Sequence, residues 1–130
     1  MHWLMICRHR PGMEALRTAT REAHRAHVVS GHDGRVRVLI GSALTEDDGA
    51  TAFGNFGILE APDRATAVAF AEADPYARAG IVATIEITAL ATAFQAHRID
   101  PMSPNPIRRA DEARTPAAAS GETKKTGRKP

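Results

Sequence analysis

The chain is poor in several residue types: its 130 residues contain one cysteine, one tryptophan and one tyrosine, and its lysines are confined to Lys124, Lys125 and Lys129. A single Cys7 excludes an internal disulfide framework and with it the stapled secreted miniproteins. Set within Trp3-Leu4-Met5-Ile6-Cys7, it reads as a buried thiol in a reducing compartment. No apolar run approaches the roughly 18 to 20 residues that span a bilayer. The short N-terminal run ends at Arg8-His9-Arg10-Pro11 without the small-residue site of a signal peptide, so a cytoplasmic protein is expected. There is no glycine-rich phosphate loop opening a helix, no Gly-x-Ser-x-Gly elbow and no Cys-x-x-Cys pair. Nucleotide and redox chemistry therefore lack support, and no cofactor is expected. His24, His27 and His32 lack a carboxylate or cysteine at ligand spacing, so no metal site is expected either.

What is present is ordinary globular material, 43% hydrophobic and 25% charged, enough for one core. The net charge of +2 is unevenly placed. Residues 100–130 hold seven Lys or Arg against four Asp or Glu, a surplus of three, which leaves the body at −1. That segment also carries Pro101, Pro104, Pro106, Pro116 and Pro130 and almost no large apolar side chain, so residues 98–130 are expected to form a disordered tail beyond a domain spanning 1–97. Its Lys124-Lys125 and Arg128-Lys129 pairs suit weak phosphate contact rather than specific nucleic-acid recognition.

Changes of hydrophobic period divide the body into two strand-helix-strand units. Residues 3–8 form an apolar strand closed by Pro11-Gly12. From residue 13 to about 29, Met13, Leu16, Thr20, Ala23 and His27 recur at helical spacing, and His32-Asp33-Gly34 marks a turn. Val36, Val38 and Ile40 alternate with Arg35, Arg37 and Leu39 as a second strand, and Glu46-Asp47-Asp48-Gly49 is a loop. Residues 53–60 form a third strand. Asp63 is a candidate N-cap for a helix carrying Ala65, Val68, Ala69 and Phe70, which Pro75 stops near Ala73. Residues 81–90, rich in β-branched side chains, form a fourth strand. The order β-α-β-β-α-β predicts a ferredoxin-like α+β sandwich, with helices on one sheet face and a second copy covering the other, hence a homodimer.

Two places can carry chemistry. On a helical wheel His27 falls near the middle of the apolar stripe and reads as core, whereas His24 sits at its edge beside Arg17 and Arg21. The second place is Ala73-Asp74-Pro75-Tyr76, where an aspartate stands at the unfavourable end of a helix dipole, though Asp before Pro also initiates turns.

The stretches Cys7-Arg8 through Pro11-Gly12, Arg17-Thr18-Ala19-Thr20-Arg21-Glu22-Ala23-His24, Arg35 to Leu44 leading into Glu46-Asp47-Asp48-Gly49, and Ala73-Asp74-Pro75-Tyr76-Ala77-Arg78-Ala79-Gly80 together resemble the YciI-like (YCII-related) family, over roughly three-quarters of the chain. The resemblance implies a dimeric α+β barrel of ferredoxin-like units. It also implies an active site built on a first-helix histidine and the aspartate of an Asp-Pro-Phe/Tyr motif, which are His24 and Asp74 here. The chain departs from the family where relatives read Gly-Pro-Leu after the second strand, having Gly41-Ser42-Ala43-Leu44 instead, and in carrying His27 where an aromatic is common.

If Asp74 reaches His24, the carboxylate fixes the imidazole as a general acid or base. Arg17, Arg21 and Tyr76 are the candidates to orient a carboxylate or enolate. The function expected is that of a cofactor-independent isomerase, lyase or dehalogenase-like enzyme on a small acid. The rivals are a non-catalytic dimer binding a small regulatory ligand and a cofactor-independent monooxygenase of the same architecture.

Overall fold

The computed structural model describes residues 1–103 and 106–108. Four antiparallel strands form one sheet in the order β2-β3-β1-β4, with β1 at His2–His9, β2 at Arg37–Thr45, β3 at Ala52–Glu60 and β4 at Val82–Ala89. Helix α1 (Glu14–Gly34) joins β1 to β2, while α2 (Arg64–Ala73) and the one-turn α3 (Pro75–Arg78) join β3 to β4. This is the ferredoxin-like α+β sandwich expected. Alternation along β1 sets the layers: Trp3, Met5, Cys7 and His9 are buried towards the helices, and Leu4 and Ile6 occupy the opposite face. Phe70, Leu59 and Ile81 are the largest fully buried side chains, and Phe70 brings α2 onto the sheet.

The helix limits have local causes. Asp63 caps α2, its carboxylate accepting from the Thr66 N–H at 2.8 Å. Pro75 ends α2 at Ala73 as expected, and Asp74 then caps the short α3, which periodicity did not reveal because four residues carry no period. The regular part of α1 closes on a left-handed run, with φ of 63° at Gly31, 54° at His32, 64° at Asp33 and 77° at Gly34. Gly31 O accepts the N–H groups of Arg35 at 3.0 Å and Val36 at 2.9 Å. A Cβ on Gly31 would lie 2.0 Å from Val36 O, so backbone approach as well as φ demands glycine.

Two expectations need correction. The α1 stripe is rotated: Leu16 is 42% exposed and Ala23 also faces solvent, while Arg17, Arg21, His24 and Val28 turn inward. His24 therefore lies on the inward face and not at its margin. In β2 the alternation breaks at Leu39, where the register to β3 shifts, so that Val38 and Leu39 are both buried and Ile40 crosses to the open face. Leu39 and Val38 present their carbonyls at the sheet edge to the N–H groups of Met102 at 2.9 Å and Ser103 at 3.1 Å. Residues 101–103 thereby cover an edge strand, beyond the boundary expected at 97. Residues 109–130, most of the expected tail, lie outside the described residues.

Gly31→Ala should destabilise the domain by at least ~2 kcal/mol, combining left-handed strain with the clash at Val36. Thermal denaturation checks this. Gly80→Ala is the comparison, since Gly80 shares the positive φ but has open space around it, and its loss should be smaller.

Candidate active site

Asp74 lies between α2 and α3 with only 5% of its surface exposed. A buried carboxylate needs partners. Its Oδ1 accepts the Tyr76 N–H at 2.8 Å, and both oxygens, at 2.9 and 2.8 Å, face His24 Nδ1 on α1. An ionised carboxylate only accepts, so Nδ1 carries the proton. Neutral His24 is thereby fixed as the tautomer with an unprotonated Nε2, which has no hydrogen-bond partner among the described residues. The imidazole stacks on the buried Tyr76 ring, centroids 4.1 Å apart and planes 11° from parallel. The Arg17 guanidinium carbon lies 5.6 Å from the centroid of that ring.

Beside this pair opens a cavity of about 530 Å³, lined by Arg17, Arg21, Arg25, His24, Asp74 and Tyr76 on its helix side. The sheet forms its floor. Gly41, Gly57 and Met5 are in register across β2, β3 and β1, and Ala43, Asn55 and Cys7 form the next row. Two neighbouring glycines and an alanine leave the space in which a ligand can lie. Arg25 pairs loosely with exposed Glu22 at 3.5 Å, whereas the guanidinium groups of Arg17 and Arg21 have no acidic partner among the described residues. The cavity is thus cationic at its rim and apolar at its floor.

All five residues singled out by sequence, His24, Asp74, Arg17, Arg21 and Tyr76, line this one cavity. His24 and Asp74 are in direct contact, and the Tyr76 ring is the surface on which His24 rests. His27 holds helix to helix: its Nε2–H donates to Phe70 O at 2.8 Å and its ring stacks on Phe70. Among the described residues no group of three or more His, Cys, Asp or Glu is placed to hold a metal ion. Sequence reasoning missed His9 and Asn55, whose side chains meet at 2.8 Å, with His9 edge-on to Tyr76. No local pattern connects them, because the pairing of β1 with β3 brings together residues 46 positions apart.

Burial controls the other ionisable groups nearby. Desolvation pushes the Cys7 thiol up to about 12, with the charge of Asp74 acting in the same direction. His9 and His27 are pushed below the ordinary 6.5, chiefly by burial, against the opposing pull of their hydrogen bonds to Asn55 and Phe70.

The fold and site define a class: a ferredoxin-like α+β domain with a histidine-aspartate pair at the wall of a cavity of about 530 Å³. The chain belongs to the YCII-related family, whose domain model matches residues 1–91. In structure it is similar to the 5-chloro-2-hydroxyhydroquinone dehydrochlorinase of Burkholderia phenoliruptrix AC1100, solved in complex with 2,5-dihydroxybenzoquinone. The TM-score is 0.59 at 25% identity, covering 70% of this chain and 94% of that one. No curated protein matches it in sequence. No helix among the described residues is long and apolar enough to cross a membrane.

Two solution measurements follow from these environments. His9 and His27 stay neutral in the fold while the unfolded chain takes up protons near 6.5, so their share of stability is complete above that pH and is lost as pH falls below it. Melting temperature should fall between pH 7 and 5, and His27→Gln should flatten that slope. Cys7 should resist a thiol reagent at pH 8 in the native protein and react on unfolding in guanidinium chloride.

Proposed function

We propose that this protein is a cofactor-independent enzyme in which His24 is the general base or acid and Asp74 its orienting carboxylate. One observation carries the reading: a buried carboxylate bound to Nδ1 leaves Nε2 without a partner among the described residues, on a side chain lining a cavity sized for a small molecule. The reaction class is an elimination or isomerisation of a small, oxygen-bearing ring. In the elimination, Nε2 takes a proton from the substrate, the freed electron pair forms the new double bond, and halide leaves with the bonding pair of its carbon. Arg17 and Arg21, without an acidic partner among the described residues, suit the anionic oxygen that such a ring develops. Likeness to a dehydrochlorinase supports this choice among the chemistries open to an imidazole-carboxylate pair.

Chloride release from chlorinated hydroxyhydroquinones tests the reading. His24→Ala and Asp74→Asn should each lower turnover by roughly 10²- to 10⁴-fold, the usual contribution of a placed proton-transfer group. Saturable binding of these compounds without turnover by the wild type would favour the regulatory ligand-binding alternative.

The open sheet face supports a homodimer. Leu4, Ile6, Phe56 and Ile58 are half-exposed neighbours across β1 and β3, and the bulge at Leu39 adds Ile40, 42% exposed. A contiguous apolar face of this kind is best covered by its own copy. Light scattering should give twice the chain mass of 13.9 kDa, and Ile6→Lys should give the monomer. A monomeric wild type at micromolar concentration contradicts the dimer.

A further inference from the structure

His9 and Asn55 are among the most buried polar side chains of the domain, 9% and 8% exposed, and no step above uses them. Each is the other's only side-chain hydrogen-bond partner among the described residues, through His9 Nε2 and Asn55 Oδ1 at 2.8 Å. The direction of that hydrogen bond follows from the far side of the ring, where His9 Nδ1 is buried without a partner among the described residues. If the amide were reversed and donated to Nε2, the ring proton would move to Nδ1, leaving an orphaned N–H in the interior. With the proton on Nε2, only an acceptor is left unused, and buried acceptors tolerate this better than donors. Burial and the nearby Arg17 cation hold His9 neutral, which keeps this single-proton form. Asn55 Oδ1 is therefore consumed by His9. Its Nδ2, with two protons, has no partner among the described residues, although Asn55 lines the cavity.

The surroundings say what such a donor serves. In the two floor rows, Gly41-Gly57-Met5 and Ala43-Asn55-Cys7, Asn55 supplies the one strong hydrogen-bonding side chain. Ser42 also lines the cavity, but its hydroxyl donates to Ala43 O at 2.9 Å, and a polar group with an unused donor among apolar residues fixes the orientation of a ligand. Asn55 is also keyed to the base: one Tyr76 ring meets His24 face to face at 4.1 Å and His9 edge-on at 5.5 Å. Tyr76 thus relates the amide's holder to the imidazole. We propose that Asn55 is a substrate-binding residue of this cavity, its Nδ2–H₂ donating to a ring oxygen of a planar hydroxyquinol or quinone ligand, and that His9 is the positioning residue that fixes the amide. This deepens the function proposed above and rests on it for the identity of the base, His24.

Calorimetric binding of 2,5-dihydroxybenzoquinone to the full-length protein tests the assignment without requiring turnover. Asn55→Leu should weaken binding roughly ten- to a hundred-fold, as expected for a lost hydrogen bond to a charged oxygen. Asn55→Asp, which keeps shape and an oxygen towards His9 while removing the donor, should weaken it at least as much if the leucine variant fails to fold. His9→Leu should weaken it by a smaller factor, and His9→Gln, whose amide N–H can replace Nε2–H, should recover most of that loss. Unchanged affinity in a folded Asn55 variant overturns the proposal, as does the absence of saturable binding to the wild type at millimolar probe. His24→Ala separates the two readings, because it should bind the probe and lack turnover. Full turnover in His24→Ala with weak binding in the Asn55 variants would overturn the assigned base and leave the oxygen donor standing.

Discussion

The structure depends on the contact between Asp74 and His24. A carboxylate 5% exposed is costly unless compensated, and here the compensation comes from two directions: the Tyr76 N–H of its own turn and the His24 Nδ1–H of a helix 50 residues away. The same contact fastens α1 to the α2–α3 corner and fixes which imidazole nitrogen faces the cavity without a hydrogen-bond partner among the described residues. Removing either partner leaves a polar group of the interior short of a hydrogen bond, so the contact bears on the stability of the fold as well as on the proposed chemistry.

Around that contact the sheet supplies room. Strand pairing sets Gly41 beside Gly57 and Ala43 beside Asn55, so the floor beneath α1 lacks the large side chains that would otherwise fill it. Larger residues lie elsewhere: Trp3, Phe70 and Leu59 pack under α2, which makes one half of the sandwich core and the other half cavity. The bulge at Leu39 changes the face of every later residue in β2, placing Ile40 on the open side and Gly41 and Ala43 under the cavity. Residues 101–103 then occupy the free edge of that strand.

Strands, turns and caps were legible because they rest on local chemistry: the apolar run of β1 before Pro11-Gly12, Asp63 before its helix, Pro75 after Asp74 and the turn at His32-Asp33-Gly34. The orientation of α1 was not. Hydrophobic periodicity assumes that the inward face of a helix is apolar, yet this face forms the cationic side of a cavity, so Arg17, Arg21 and His24 turn inward while Leu16 turns out. His24 and Asp74 were singled out from their surroundings and from family resemblance, and the structure brings them into contact, whereas His9 and Asn55 become neighbours only through strand pairing. The bulge in β2 was hidden because Arg35 to Ile40 alternate in sequence as a regular strand does.

The central claim, that Asp74 sets the tautomer of His24, is tested most directly by nitrogen NMR of the imidazoles in the wild type and in Asp74→Asn near neutral pH. In the wild type, neutral His24 should carry its proton on Nδ1 and a lone pair on Nε2. In Asp74→Asn the amide oxygen is held by the Tyr76 N–H, so its NH₂ faces His24 Nδ1 and should drive the proton to Nε2. A wild-type His24 already protonated on Nε2 when neutral, or a tautomer indifferent to the substitution, would contradict the account.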